Sequence, residues 1–178
     1  GGRHQVTGRA PVVIMEGIRR AHGRREEGTL SGPAVGSRLM WRLTVAAVIA
    51  REGRFLFVEE PDKVTGLPVL NQPAGHVEPG ESVLDAVRRE VREETGLAFT
   101  PEAIVGLYPL KAANGCDYFR ICFTGTVPEG AEAAPEDPDI LRCHWLSRED
   151  VAAAALRSGW VRACLDDACA GRRFPLEL

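Results

Sequence analysis

The sequence predicts an α/β domain, one mixed β-sheet with helices against its faces, and three observations carry that expectation. Short segments rich in Val, Ile, Leu and Phe recur between Trp41 and Leu146, bounded by Gly, Pro and Asn turns. Among them lies one helix-patterned stretch, residues 82–95, opened by Ser82 and stopped by Gly96. Two further helical segments, one of them Ala-rich, follow the last strand-like run. The length agrees, since 178 residues fill one domain well and fall short of two large ones.

In chain order, residues 41–50 and 54–59 read as strands flanking the turn Arg51-Glu52-Gly53. Residues 61–68, with Gly66 between two prolines, form a loop, and 69–72 is a short strand that Pro73-Ala74-Gly75 should break. Residues 76–78 form a second brief extended piece before Pro79-Gly80. Ser82 with Asp85 three residues on has the spacing of an N-cap, and Gly96 suits the left-handed residue that ends a helix. Residues 103–111 and 117–127 read as strands joined through Asn114-Gly115, a strong turn dipeptide. An acidic, Pro-rich loop at 128–139 leads to a strand at 140–146. Ser147 with Asp150 opens a helix to about Leu156, and Ser158 starts another that ends at Gly171. There is no internal repeat.

Composition narrows the function classes. The chain is 44% apolar and 26% charged, with a net charge of −3, which gives no support to nucleic acid as a partner. Residues 1–39 carry seven Arg against three Glu and are broken by eight glycines, so they read as an appendage outside a domain spanning 40–178. No apolar run approaches the roughly 20 residues of a membrane span, and no secretory signal is evident. Five cysteines without a CxxC pair fit reduced thiols in a cytoplasmic protein. Cys143-His144 lacks a second pair at metal spacing, so the two are expected on opposite faces of a strand.

The informative stretch is 75–97. Advancing about 100° per residue along a helix places Val83, Val87, Val91 and Leu84 on one side, an apolar stripe. By the same count Glu90 and Glu94 flank Val83, at the edge of that stripe, where a carboxylate is costly unless paired or metal-bound. Asp85, Arg89 and Glu93 form a charge ladder on one flank. An isolated acidic helix face is usually a solvated surface.

Gly75, five residues, Glu81, seven residues, then Arg89-Glu90-Val91-Arg92-Glu93-Glu94-Thr95-Gly96-Leu97 matches the Nudix signature at every specified position. The sequence thus resembles the Nudix hydrolases. That resemblance implies an α/β/α sandwich and hydrolysis of a small-molecule diphosphate with Mg²⁺ or Mn²⁺. It further implies Glu90 and Glu94 as main metal ligands, completed by Glu93 and the Gly75 carbonyl, with Arg89 orienting the cluster and Glu81 bracing the loop to the helix. The general base is either a box glutamate such as Glu94 or an acid of the 128–139 loop, Asp137 or Asp139. His76 is a variable position of the signature and reads as a loop residue.

Outside the signature, Asn71-Gln72-Pro73-Ala74-Gly75-His76, Cys143-His144-Trp145-Leu146 and Arg173-Phe174-Pro175-Leu176-Glu177 resemble bacterial NudJ-type phosphatases. This resemblance implies release of phosphate from nucleoside di- and triphosphates or thiamine-pathway diphosphates by a monomer or homodimer. Housecleaning pyrophosphohydrolysis and a non-catalytic ligand sensor are the alternatives. One departure stands out: Leu70 occupies the place where that group carries Trp. Trp41, Tyr108, Tyr118 and Phe119 are the aromatic residues that could offer a stacking surface in its stead.

Overall fold

In the computed structural model, residues 41–111 and 116–177 are described; the expectations for 1–39 and for Asn114-Gly115 lie outside the described residues. The chain runs β1 (Trp41–Arg51), β2 (Arg54–Pro61), β3 (Pro68–Asn71), β4 (Ala74–His76), α1 (Val83–Thr95), β5 (Thr100–Lys111), β6 (Asp117–Thr126), β7 (Arg142–Leu146), α2 (Arg148–Ala153) and α3 (Gly159–Cys169). The strands form one sheet in the order β3-β2-β1-β6-β5, with β4 paired to β1 and β7 to β2. β1 and β6 run parallel while the other pairs are antiparallel, so the sheet is mixed.

β1 is the central strand because its sequence suits burial on both faces. Val45, Ala47 and Ile49 pack against Ala86, Val87 and Val91 of α1. The alternate residues Ala46 and Val48 pack against Val161, Cys164 and Leu165 of α3. Helices thus cover both faces, the α/β/α sandwich that the sequence suggested.

Three local expectations change. The break expected at Pro73-Ala74-Gly75 is shorter than anticipated: β3 ends at Asn71, but Ala74, Gly75 and His76 already pair with Ala46, Val45 and Thr44. The Pro73 carbonyl accepts from Ala47 N at 2.9 Å, tying this short break to β1. β5 begins at Thr100, and its pairing with β6 absorbs Pro101 and Gly106 through register shifts. α2 stops at Ala153 rather than near Leu156, because the following backbone turns to β3. Leu70 N donates to Ala155 O and Arg157 N to Leu70 O, each at 2.9 Å. The tail docks likewise: Ile104 N donates to Phe174 O at 2.9 Å and Phe174 N to Ile104 O at 2.8 Å. Among the described residues no helix is long and apolar enough to cross a membrane.

Candidate active site

The site is organised by α1 and its two flanking loops. Ser82 Oγ accepts from Asp85 N at 3.1 Å, the expected N-cap. The cap also engages the Asp85 carboxylate, which accepts from Ser82 Oγ at 2.7 Å and from Arg88 at 3.2 Å. Asp85 is therefore absent from the anticipated ladder, of which only the Arg89–Glu93 rung forms. At the other end Gly96 takes a left-handed φ of 71° and donates to Arg92 O at 2.7 Å.

The free carbonyls of that last turn hold the acidic loop. Ala134 N donates to Thr95 O at 2.9 Å, while Glu136 N and Asp137 N both donate to Glu93 O at 2.8 Å. Asp137 is carried in this way beside Glu94, whose carboxyl feels its charge. Asp137 Oδ1 accepts from Asp139 N at 2.8 Å, which leaves Asp139 the more exposed of the two.

Arg89 is the hub. Nη2 donates to Glu81 Oε1 at 2.7 Å and to the His76 carbonyl at 2.9 Å, while Nη1 donates to Glu90 at 2.8 Å and Glu93 at 3.0 Å. Nε adds a second bond to Glu81 at 3.2 Å, a forked pair only a guanidinium can make. These bonds push the Arg89 pKa further up, Glu81 contributing most, and the same pairing holds Glu81 below its ordinary value. Glu81 Oε1 also accepts from Glu78 N at 2.7 Å, so this residue ties the 77–81 loop to the helix.

Glu94 and Glu90 are a different kind of acid. Glu94 is 7% exposed, and burial pushes its carboxyl up to about 9 against the bond from Ala74 N at 2.8 Å; Glu90, Glu60 and Asp137 push the same way. Burial raises Glu90 as well, opposed by Arg89. The Glu90 carboxyl lies against Gly75, where any Cβ would collide with it. Close approach rather than positive φ is what this glycine supplies.

A divalent ion is the natural counter-charge for a buried Glu94 and a half-buried Glu90 whose charge pushes the Glu94 carboxyl further up. Glu90, Glu94 and the Gly75 backbone offer hard oxygen donors and so fit Mg²⁺ by chemistry. Among the described residues, no three His, Cys, Asp or Glu side chains are gathered as a ready-made metal cage. The reason is visible in Arg89, which draws both Glu90 and Glu93 to itself, and Glu93 is the more exposed of the two.

Two neighbours of Glu94 escaped the sequence reading. Glu60, near the end of β2, accepts from Asn71 Nδ2 at 3.0 Å and adds charge beside Glu94. Cys143 Sγ donates to Glu94 O at 3.4 Å, and burial pushes its thiol up to about 11. The pairing of β7 with β2 brings both there; the only hint in the sequence was the Glu59-Glu60 pair. His144, as anticipated, points to the opposite face, where Nε2 lies 2.8 Å from Glu59.

That opposite face holds a cleft of about 330 Å³ lined by Glu59, Leu70, His144, Leu146, Asp150 and Ala154, among others. It shares β2 and β3 with the acid cluster, since Glu60 and Asn71 alternate with Glu59 and Leu70. Trp41, Tyr108, Tyr118 and Phe119 line no part of it. Trp41 packs edge-on to Phe119 at 5.8 Å, Tyr108 bonds Asp167 at 2.9 Å, and Tyr118 lies between His76 and Trp160.

Comparison with known proteins agrees with this geometry. The NUDIX domain family model matches residues 40–164. Phosphatase NudJ of Escherichia coli strain K12 is 36% identical over 137 residues, covering 76% of this chain and 88% of that protein. A NUDIX hydrolase from Nitrosomonas europaea superposes with a TM-score of 0.73 at 42% identity, over 78% of this chain and 95% of its own. The NUDIX domain of Shewanella oneidensis NrtR, solved with ADP ribose, shares the fold alone: TM-score 0.64 at 18% identity, over 74% of this chain and 88% of its own.

Proposed function

The chain belongs to the Nudix family, a hydrolase of phosphoanhydride bonds, and from that premise we propose a divalent-metal-dependent enzyme that releases phosphate from small-molecule diphosphates. The observation that carries this reading is the buried Glu94 carboxyl, pushed up to about 9, beside Glu90 and under the Ala74-Gly75 backbone. Buried acids raised in this way mark sites of function more often than of stability.

Glu90, Glu94 and the Gly75 carbonyl would hold Mg²⁺ or Mn²⁺, with Glu93 joining when Arg89 releases it. Bound there, the ion supplies neutralising charge for the diphosphate and a lower pKa for a water. Arg89 spaces the carboxylates, and Glu81 fixes Arg89 while bracing the loop. Glu94 and Asp137 are the two candidates for taking the proton from the attacking water. Asp137 is the less buried of the two. The cleft at Leu70 is of a size to take the leaving group, in the range of small-molecule pockets. Nucleoside di- and triphosphates and thiamine-pathway diphosphates are the substrates favoured by the likeness to phosphatase NudJ. We read 40–178 as the catalytic domain, supported by the family match from residue 40.

The test is a Mg²⁺- and Mn²⁺-supplemented screen of phosphate and pyrophosphate release over nucleotides, thiamine-pathway diphosphates, nucleotide sugars and dinucleoside polyphosphates. Phosphate as the first product supports the reading, pyrophosphate replaces it with the housecleaning reaction, and silence across the panel overturns it.

A further inference from the structure

On the α3 face of the sheet, register sets His76, Thr44, Arg120 and Tyr108 in one row across β4, β1, β6 and β5. Arg120 is 6% exposed. Its guanidinium carbon lies 4.9 Å from the ring centre of Trp160, the second residue of α3, and so is aimed at the first turn of that helix. None of the ion pairs among the described residues involves Arg120. Asp167 of α3, the acid bonded to Tyr108 of that row at 2.9 Å, also accepts from Arg172 at 3.2 Å. A ring beneath the guanidinium plane offsets part of its charge but leaves its N–H edges unused. Arg120 Nε and Nη1 are buried without a hydrogen-bond partner.

The same is true of Thr44 Oγ1 and Ser158 Oγ. Ser158 is the N-cap of α3 yet makes no side-chain cap bond, so the first-turn N–H groups of the helix lack that acceptor. Gln72 approaches from just after β3, donating from Nε2 to Val161 O at 2.7 Å while its Oε1 is buried and unpaired. Arg42, over the Tyr118 ring at 5.8 Å, adds a second cation in the next row. Orphan groups of this kind are rare in native interiors, and each asks for a partner.

A buried cation, unused N–H edges, two hydroxyls and a helix N-terminus have one chemical complement, an oxyanion. We propose that Arg120, Thr44, Ser158 and the first turn of α3 form an oxyanion-recognition site, separate from the carboxylate cluster, that takes a phosphate or carboxylate group. Gln72 Oε1 accepts from a hydroxyl of the same ligand, such as that of hydrogen phosphate. The proposal goes beyond the hydrolase reading: the acidic cluster repels phosphate unless a metal is bound, whereas this site needs none.

The experiment therefore uses the full chain in EDTA at constant ionic strength, titrated with inorganic phosphate or acetate. The readouts are the ¹⁵N resonance of the Arg120 side chain and the anion-dependent rise in Tm. Saturable shifts and a concentration-dependent rise are expected in the parent protein. Arg120→Lys, which keeps the charge and loses the fork, should weaken affinity about 10-fold or more. Arg120→Met should abolish the response, and Ser158→Ala should reduce it several-fold. A stronger response to phosphate assigns the site to phosphoryl groups, and one to acetate assigns it to carboxylates. The same response in parent and Arg120→Met, including none in either, overturns the proposal. Should Arg120→Met not fold, unchanged affinity in both Arg120→Lys and Ser158→Ala overturns it equally.

Discussion

The two faces of the sheet treat charge in opposite ways. On the α1 face, acids crowd around a single arginine that makes five hydrogen bonds to Glu81, Glu90, Glu93 and His76. On the α3 face, a buried arginine has a ring beneath it and no carboxylate beside it among the described residues. One face has an excess of acceptors, the other of donors. Under the proposed function, the first face would carry bond cleavage and the second the recognition of the molecule, with β1 and β4 contributing to both.

Removing the acid that defines the first face is the most direct way to break this division. Glu94→Gln keeps the shape and the acceptor for Ala74 N but loses the charge, and turnover should fall on the order of 10³-fold with the fold retained. Steady-state kinetics with circular dichroism checks it; activity within a few-fold of the parent would remove Glu94 from the metal site. Arg89→Lys is next, because an ammonium cannot span Glu81, Glu90 and Glu93 together. A loss of roughly 10- to 100-fold is expected, with a higher Mg²⁺ requirement in an activation titration, as for groups that orient metal ligands. Gly75→Ala forces a Cβ into the Glu90 carboxyl and should cost about 1–3 kcal/mol in denaturant unfolding. The loss should be smaller in Gly75→Ala/Glu90→Ala, where the clash is gone.

A pH series sharpens the comparison without altering a residue on either face. In metal-free protein Glu94 keeps its proton up to about 9, whereas in the unfolded chain it releases it near 4.5. The folded state holds the extra proton across that window, so stability falls as pH rises through it. Tm measured in EDTA should decline from pH 5 to 9, and Glu94→Gln should flatten the decline. Smallest is Leu70→Trp, which restores the aromatic residue of the NudJ-type pattern in the cleft. It should alter the ratio of kcat/KM for ring-bearing over alkyl diphosphates about 2- to 10-fold. An unchanged ratio would detach that cleft from the leaving group.

The sequence made the first face legible and left the second dark, for physical reasons. The placement of Val87, Val91, Glu90 and Glu94 follows from helical periodicity, and the Ser82 and Gly96 caps from residue type and spacing. Asp85 was misassigned because spacing cannot tell whether a carboxylate turns to its own cap or to the next turn. β4 was hidden because Pro-Ala-Gly carries a local signal for a break, while its pairing with Thr44–Ala46 is long-range. Glu60 and Cys143 reach Glu94 only through strand pairing. Arg120 gave no signal at all: it is one basic residue in a strand-like run, and its burial under Trp160 comes from long-range packing.

The docked tail has a practical side. β5 is the outermost strand of the path β3-β2-β1-β6-β5, and an outermost strand offers unpaired backbone to any other chain. Ile104 and Phe174 close one such position by exchanging both backbone bonds. Trimming the protein before Arg172 would uncover that position next to Leu107, already exposed, and invite self-association. For a preparation of this enzyme, the last few residues would then serve to keep the molecules apart.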